Sequence, residues 1–270
     1  MENQKFDIAS KRKILYKRKR RRQLVLSVSL VFTGFCILSL ILLLNNKYNN
    51  NTYVNKKVTS SSSNEDPFIV CIDPGHGDWD TGTKGVTGIL EKDIALNISL
   101  KLGKLLEASK VKVVYTRTND SLPWLKTAND SLKERIKIPK VFNADLFISI
   151  HCNSDYSNPD SKGLETWYKA SNEESKNLAN TIQNKLSKLK YTDDRGLKTY
   201  KNKDDALAVL ELNSSISALV ELGFLSNTSD EKYLNSDKGQ EACAKAIKDS
   251  ILSYIENNKE SLKKNKNNNR

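Results

Sequence analysis

The sequence predicts an α/β fold: a single domain with a largely parallel central sheet flanked by helices, preceded by one transmembrane helix. Three observations lead there. Between residues 67 and 257, short apolar runs alternate with stretches whose apolar side chains recur at helical spacing, the pattern of strands alternating with covering helices. Residues 24–44, LVLSVSLVFTGFCILSLILLL, carry no charge. The net charge of +12 resides at the two ends. Residues 1–23 hold ten basic and two acidic side chains and residues 259–270 hold five and one, which leaves 29 of each sign in 24–258. A nucleic-acid enzyme needs a basic stripe on its folded body, so that class is set aside.

Residues 1–23, with KRKILYKRKRRR at 11–22, are read as a basic cytoplasmic segment, and 24–44 follows as a transmembrane signal anchor. At ~1.5 Å rise per residue, an apolar helix of that length crosses roughly 30 Å of hydrocarbon. Basic residues on its amino-terminal side place that end in the cytoplasm and the rest of the chain outside. A cleaved signal peptide is the rival. Its apolar region is usually ~7–15 residues and ends at a small-residue site. This run is longer and continues into Asn45-Asn46-Lys47-Tyr48. Residues 45–66 are read as a disordered linker, 67–257 as the folded unit and 258–270 as a basic tail, because neither flank has an apolar set to bury.

Within the folded unit, Phe68–Asp73 is a buried strand closed by Pro74-Gly75. Ile94, Ile98, Leu102, Leu105 and Leu106 mark one helical face in 91–106. Val111–Thr116 is a strand. Residues 131–142 read as a helix that Pro139 should kink or shorten. Strands are expected at 145–150, 164–168, 207–212 and 218–222. Helices are expected around Leu178–Leu189 and Ile247–Ile255. Cys36 falls in the apolar segment, and Cys71, Cys152 and Cys243 lie in patterned stretches. Without a C-x-x-C pair they read as buried free thiols.

Open α/β sheets bind ligands beyond the carboxyl ends of their strands. Asp73-Pro74-Gly75-His76-Gly77 follows the first strand and His151-Cys152-Asn153 the third, while Glu221-Leu222-Gly223-Phe224 ends the last. The chain's two histidines thus fall on one predicted rim. Glu91 opens the first helix, where the helix dipole favours a carboxylate. Two imidazoles and a carboxylate are a common ligand set for catalytic zinc, and a further glutamate can move the proton of an attacking water. A histidine in a glycine-rich loop is more often a surface residue than a ligand, so spacing alone leaves both readings open.

The motifs go further. IVCIDPGHGD at 69–78, LEKDIALNISLKLGKLLE at 90–107, VVYTR at 113–117, Arg135 with NADLFISIHCNS at 143–154, KGLETWY at 162–168 and ALVELGFLSN at 218–227 resemble the zinc-dependent N-acetylmuramoyl-L-alanine amidases of the third amidase family, which are bacterial cell-wall hydrolases. The resemblance implies Zn²⁺ held by His76, Glu91 and His151, with Glu221 as the catalytic glutamate. It also implies peptidoglycan as substrate, cleaved between N-acetylmuramic acid and L-alanine. The sequence departs from the family pattern at Asp78, where a second glycine is frequent, at Cys152, where a small residue is usual, and at Pro139. Asn153, Glu165 and Arg117 are candidates for substrate contact. Arg117 and Arg135 could equally form salt bridges within the fold, and Trp79, Trp124 and Trp167 could pack rather than stack on sugars. A signal-anchored amidase without wall-binding repeats resembles the germination-specific amidases, which trim spore-cortex peptidoglycan during muramic lactam formation. Several relatives depend on an activating protein, so such a partner is an open expectation. The competing readings are a non-catalytic peptidoglycan-binding module and a zinc peptidase of the cell wall.

Overall fold

Strand β1 (Ile69–Pro74) pairs in parallel with β2 (Lys112–Tyr115) and with β3 (Leu146–Asn153), and β3 pairs in parallel with β6 (Ile216–Phe224). Strand β4 (Leu164–Tyr168) runs antiparallel to β6 and parallel to β5 (Asp194–Lys198). The sheet order is β2-β1-β3-β6-β4-β5, so the expected largely parallel sheet is present with one antiparallel junction. This computed structural model describes residues 67–122, 126–200 and 207–268. The expected apolar segment at 24–44, the linker at 45–66 and Trp124 lie outside these residues. Among the described residues no helix is long and apolar enough to cross a membrane.

The alternation along β3 shows how the sheet sorts its faces. Leu146, Ile148, Ile150 and Cys152 point into the larger core, which α1 (Glu91–Ala108), α3 (Glu173–Leu186) and α6 (Asp237–Asn257) cover. Phe147 belongs to the smaller core on the other face, with Cys71, Val114 and Ala144 beneath α2 (Ala128–Val141). With a side-chain period of two, Ser149 and His151 continue the row of Phe147. The second face therefore turns polar towards the carboxyl rim. Cys71, Cys152 and Cys243 are free and buried, as expected.

Several elements differ from the sequence expectation. Residues 207–212 were expected to form a strand, but α4 (Ala208–Glu211) is a short helix that buries Leu210. A short apolar run lacks the periodicity to distinguish the two states. Pro139 lies inside α2, which continues two residues beyond it to Val141. The proline lies in the last turn, where its missing N–H removes only one intrahelical bond. Strand β5 and helix α5 (Thr228–Leu234) carry too few apolar residues to signal themselves. The expected tail instead begins helix α7 (Lys259–Asn268), and Leu262 is buried against the larger core.

Candidate active site

The loop leaving β1 is set by a buried ion pair. Asp73 Oδ1 accepts hydrogen bonds from Arg135 Nη1 at 2.5 Å and Thr116 Oγ1 at 2.6 Å, and Oδ2 accepts from Ser149 Oγ at 2.7 Å. Burial acts to raise the Asp73 pKa, but the Arg135 charge and the two hydroxyls outweigh it and hold it below the usual carboxylate range. Arg135 also donates to the carbonyls of Pro74 and His76. This holds His76 at φ 58°, a left-handed conformation that is uncommon for a residue other than glycine.

Arg117 is buried as well. Its guanidinium donates to the carbonyls of Pro74, Gly75 and Lys92 at 2.8–3.0 Å. These bonds give it the task of shaping the loop, and its bonding leaves little for a substrate.

On this frame His76, Glu91 and His151 converge, with one ligand atom from each lying within 4.8 Å of the others. Glu91 Oε1 is 3.1 Å from His76 Nε2 and 2.9 Å from His151 Nδ1. Bond lengths of ~2.0–2.2 Å to a tetrahedral zinc put its ligand atoms roughly 3.3 Å apart, so the two distances to Glu91 and the donor set fit that ion. Backbone N–H groups orient the glutamate: Thr83 donates to Oε2 at 2.9 Å and Cys152 to Oε1 at 3.0 Å. Asp80 Oδ1 lies 2.8 Å from His76 Nδ1, a carboxylate behind a histidine that directs its other nitrogen inward. Two glycines keep the approach open. A Cβ at Gly75 would lie 2.4–2.7 Å from the His151 ring, and one at Gly82 would lie 2.5 Å from Glu91 Oε2.

The charges follow from this packing. Burial acts to lower the His76 pKa, but the hydrogen bonds to Asp80 and Glu91 prevail and raise it to about 9. Burial acts to raise the Glu91 pKa, and the two histidines overcome it, holding the carboxyl well below its ordinary value. A metal must therefore displace protons from the cluster.

Glu221 lies in register with His151 across the β3–β6 pair. Its Oε2 is buried and accepts no hydrogen bond among the described residues. Burial, reinforced by the charges of Glu91 and Glu165 and opposed by that of His151, pushes its pKa up to about 7.

Glu165 lies opposite Glu221 on β4 and is buried among donors. Asn153 Nδ2 at 3.3 Å and Trp167 Nε1 at 3.0 Å donate to Oε1, and Arg195 Nε at 2.8 Å donates to Oε2. Asn153 thus borders Glu221 through Glu165. Sequence reasoning missed Asp80 and Arg195. A carboxylate four residues after His76 was a legible signal for Asp80, whereas Arg195 sits on an edge strand with no pattern to mark it.

Fold and site together define the class: a single-domain α/β enzyme with a two-histidine, two-glutamate centre at the carboxyl rim of a mostly parallel sheet. The chain belongs to the N-acetylmuramoyl-L-alanine amidase family, a family of hydrolases, whose model matches residues 70–253. It is 39% identical to N-acetylmuramoyl-L-alanine amidase LytC of Bacillus subtilis over 188 residues, covering 68% of this chain and 35% of LytC. The chain thus spans about a third of the length of that relative. It is 30% identical to the germination-specific N-acetylmuramoyl-L-alanine amidase of the same organism, covering 69% of this chain and 79% of that protein. Among solved structures, the CwlD amidase of Clostridioides difficile, in complex with the GerS lipoprotein, matches with a TM-score of 0.64 and 34% identity. That match covers 70% of this chain and 98% of CwlD. AmiC2 of Nostoc punctiforme matches with a TM-score of 0.61 and 33% identity, covering 70% and 97% of the two chains.

Proposed function

We propose that this protein hydrolyses the amide between the lactyl group of N-acetylmuramic acid and L-alanine in peptidoglycan, with zinc held by His76, Glu91 and His151. The observation that carries the reading is Glu221, a half-buried glutamate whose buried Oε2 has no hydrogen-bond partner among the described residues, in register with one histidine of a His/Glu/His cluster. Zinc, when bound, supplies Lewis-acid activation of a water and polarisation of the amide carbonyl.

The chain's own residues do the rest. Asp80 holds the His76 ring, and the Thr83 and Cys152 amides hold Glu91. Glu221 takes a proton from the attacking water. As the water oxygen bonds to the amide carbon and the C–N bond breaks, that proton passes to the departing alanine nitrogen. A carboxyl whose pKa lies near 7 is suited to both transfers.

The apolar segment 24–44 serves in this reading as a membrane anchor, with the catalytic domain outside the cytoplasm. The germination-specific relative supports a role in spore-cortex maturation, and the CwlD–GerS complex supports a protein partner. The deciding experiment is mass spectrometry of purified peptidoglycan incubated with the full chain and zinc. The expected products are intact glycan strands and stem peptides with a new L-alanine amino terminus. A different new amino terminus identifies a peptidase, and binding without products identifies a non-catalytic wall-binding module.

A further inference from the structure

Arg195 stands at the end of a row that crosses the rim. His151 on β3, Glu221 on β6 and Glu165 on β4 are register partners in turn, and Arg195 on β5 reaches Glu165. Three features fix its pose. Its Nε donates to Glu165 Oε2 at 2.8 Å. Its guanidinium carbon lies 4.9 Å from the centroid of the Phe224 ring, within the range of a cation–π contact. Its stem lies over Gly163, where a Cβ would come within 2.6 Å of Arg195 Cγ and 2.7 Å of Cδ. Gly163, at φ +120°, supplies the bare backbone this crossing needs.

The head is held but not enclosed. The Arg195 side chain is 39% exposed, against 5% for its partner Glu165. Among the described residues its two terminal nitrogens have no hydrogen-bond partner. A surface arginine that only neutralised Glu165 would need neither the ring beneath it nor the glycine under its stem. The held face instead leaves a planar pair of donors free, which is the geometry that grips a carboxylate.

Strand spacing sets the reach. Glu165 lies two strands from His151, and at ~4.8 Å per strand this is roughly 10 Å. A peptide extending from an amide above the cluster covers ~3.5 Å per residue, so a group two or three residues beyond the scissile bond arrives at Arg195.

We propose that Arg195 is a specificity-determining residue that binds a free carboxylate on the stem peptide, two or three residues past the cleaved amide. This rests on the amidase reading and adds which stems that site prefers. A stem whose carboxylate is amidated loses the charge and becomes the poorer substrate.

The test compares two synthetic muropeptides that differ only in a carboxylate or carboxamide on the second stem residue, using the zinc-loaded full chain. Turnover is measured for each, and binding is measured by calorimetry with Glu221→Gln. The parent is expected to favour the carboxylate form, mainly through KM, by about tenfold to a hundredfold, the scale of one charge-assisted hydrogen-bonded contact. Arg195→Gln should bring the ratio close to one, and Arg195→Lys should keep part of it. In Glu165→Gln/Arg195→Gln, which lacks the buried acid, the preference should stay lost.

A parent without preference overturns the proposal. So does Arg195→Gln if it weakens both substrates equally, because Arg195 then acts only through Glu165. If the parent cleaves neither muropeptide, the amidase reading fails, and the binding ratio still decides whether Arg195 selects the carboxylate.

Discussion

Glu165 and Glu221 face each other across the antiparallel pairing of β4 with β6; the Glu165 side chain is buried, and Glu221 is half-buried with its Oε2 out of contact with solvent. Only one is neutralised by neighbours. Glu165 receives Arg195, Asn153 and Trp167, while Glu221 Oε2 receives no hydrogen bond among the described residues. The two carboxyls therefore have different capacities. Glu165 is held in place by three donors, and Glu221, with its pKa pushed up to about 7, is left able to exchange a proton near neutrality.

Replacing Glu221 by glutamine keeps the shape and removes the proton acceptor. Turnover should fall by ~10²–10⁴, with zinc content and peptidoglycan binding little changed. Turnover, zinc stoichiometry and pull-down on peptidoglycan are measured on one preparation. Activity within a few-fold of the parent would move the base elsewhere, with Glu165 the next candidate. Loss of zinc would make Glu221 a ligand.

His76→Ala, Glu91→Ala and His151→Ala should each leave zinc well below stoichiometric, since three protein ligands have no redundancy. Gly82→Ala should also weaken zinc binding, because its Cβ would press on Glu91 and His76. Elemental analysis after dialysis reads both. Full occupancy in His151→Ala removes that residue from the site.

Asp73 contributes to acid stability. Its folded-state pKa is depressed, so its contribution is complete above the unfolded pKa of ~3.9 and is lost as pH falls through the folded value. Asp73→Asn leaves Arg135 buried without its counter-charge and should cost about 3–5 kcal/mol at neutral pH. Denaturant unfolding across the acid range should then show a shallower pH dependence than in the parent. An identical acid slope would mean another carboxylate controls it.

Membrane attachment is tested by fractionation. If 24–44 is an anchor, the full chain sediments with membranes, and external protease releases the catalytic unit by cutting within 45–66. A soluble mature form beginning near residues 45–59 would instead show cleavage as a signal peptide.

The sequence by itself determined the class of the sheet and the location of its reactive rim. β1, β3 and β6 are largely apolar runs that end in Asp73-Pro74-Gly75-His76, His151-Cys152-Asn153 and Glu221-Leu222-Gly223-Phe224. Parallel strands buried on both faces are mostly apolar, so their polar ends stand out in the chain itself. The helical spacing of α1 placed Glu91 at its first turn for the same local reason.

Tertiary structure alone decided what those ends touch. Strand direction is invisible in a five-residue strand, and only the antiparallel placement of β4 brings Glu165, near its start, beside Glu221, near the end of β6. The same holds for Arg117. Its charge suggested a ligand, but burial turned its guanidinium towards backbone carbonyls that water could no longer reach, and a buried acceptor must find a donor within the protein. Arg195, α4 and α7 complete the list of features set at a distance. An edge-strand arginine, a short apolar run and a mostly polar terminus carry no periodic signal, and their conformations depend on contacts with residues far away in sequence.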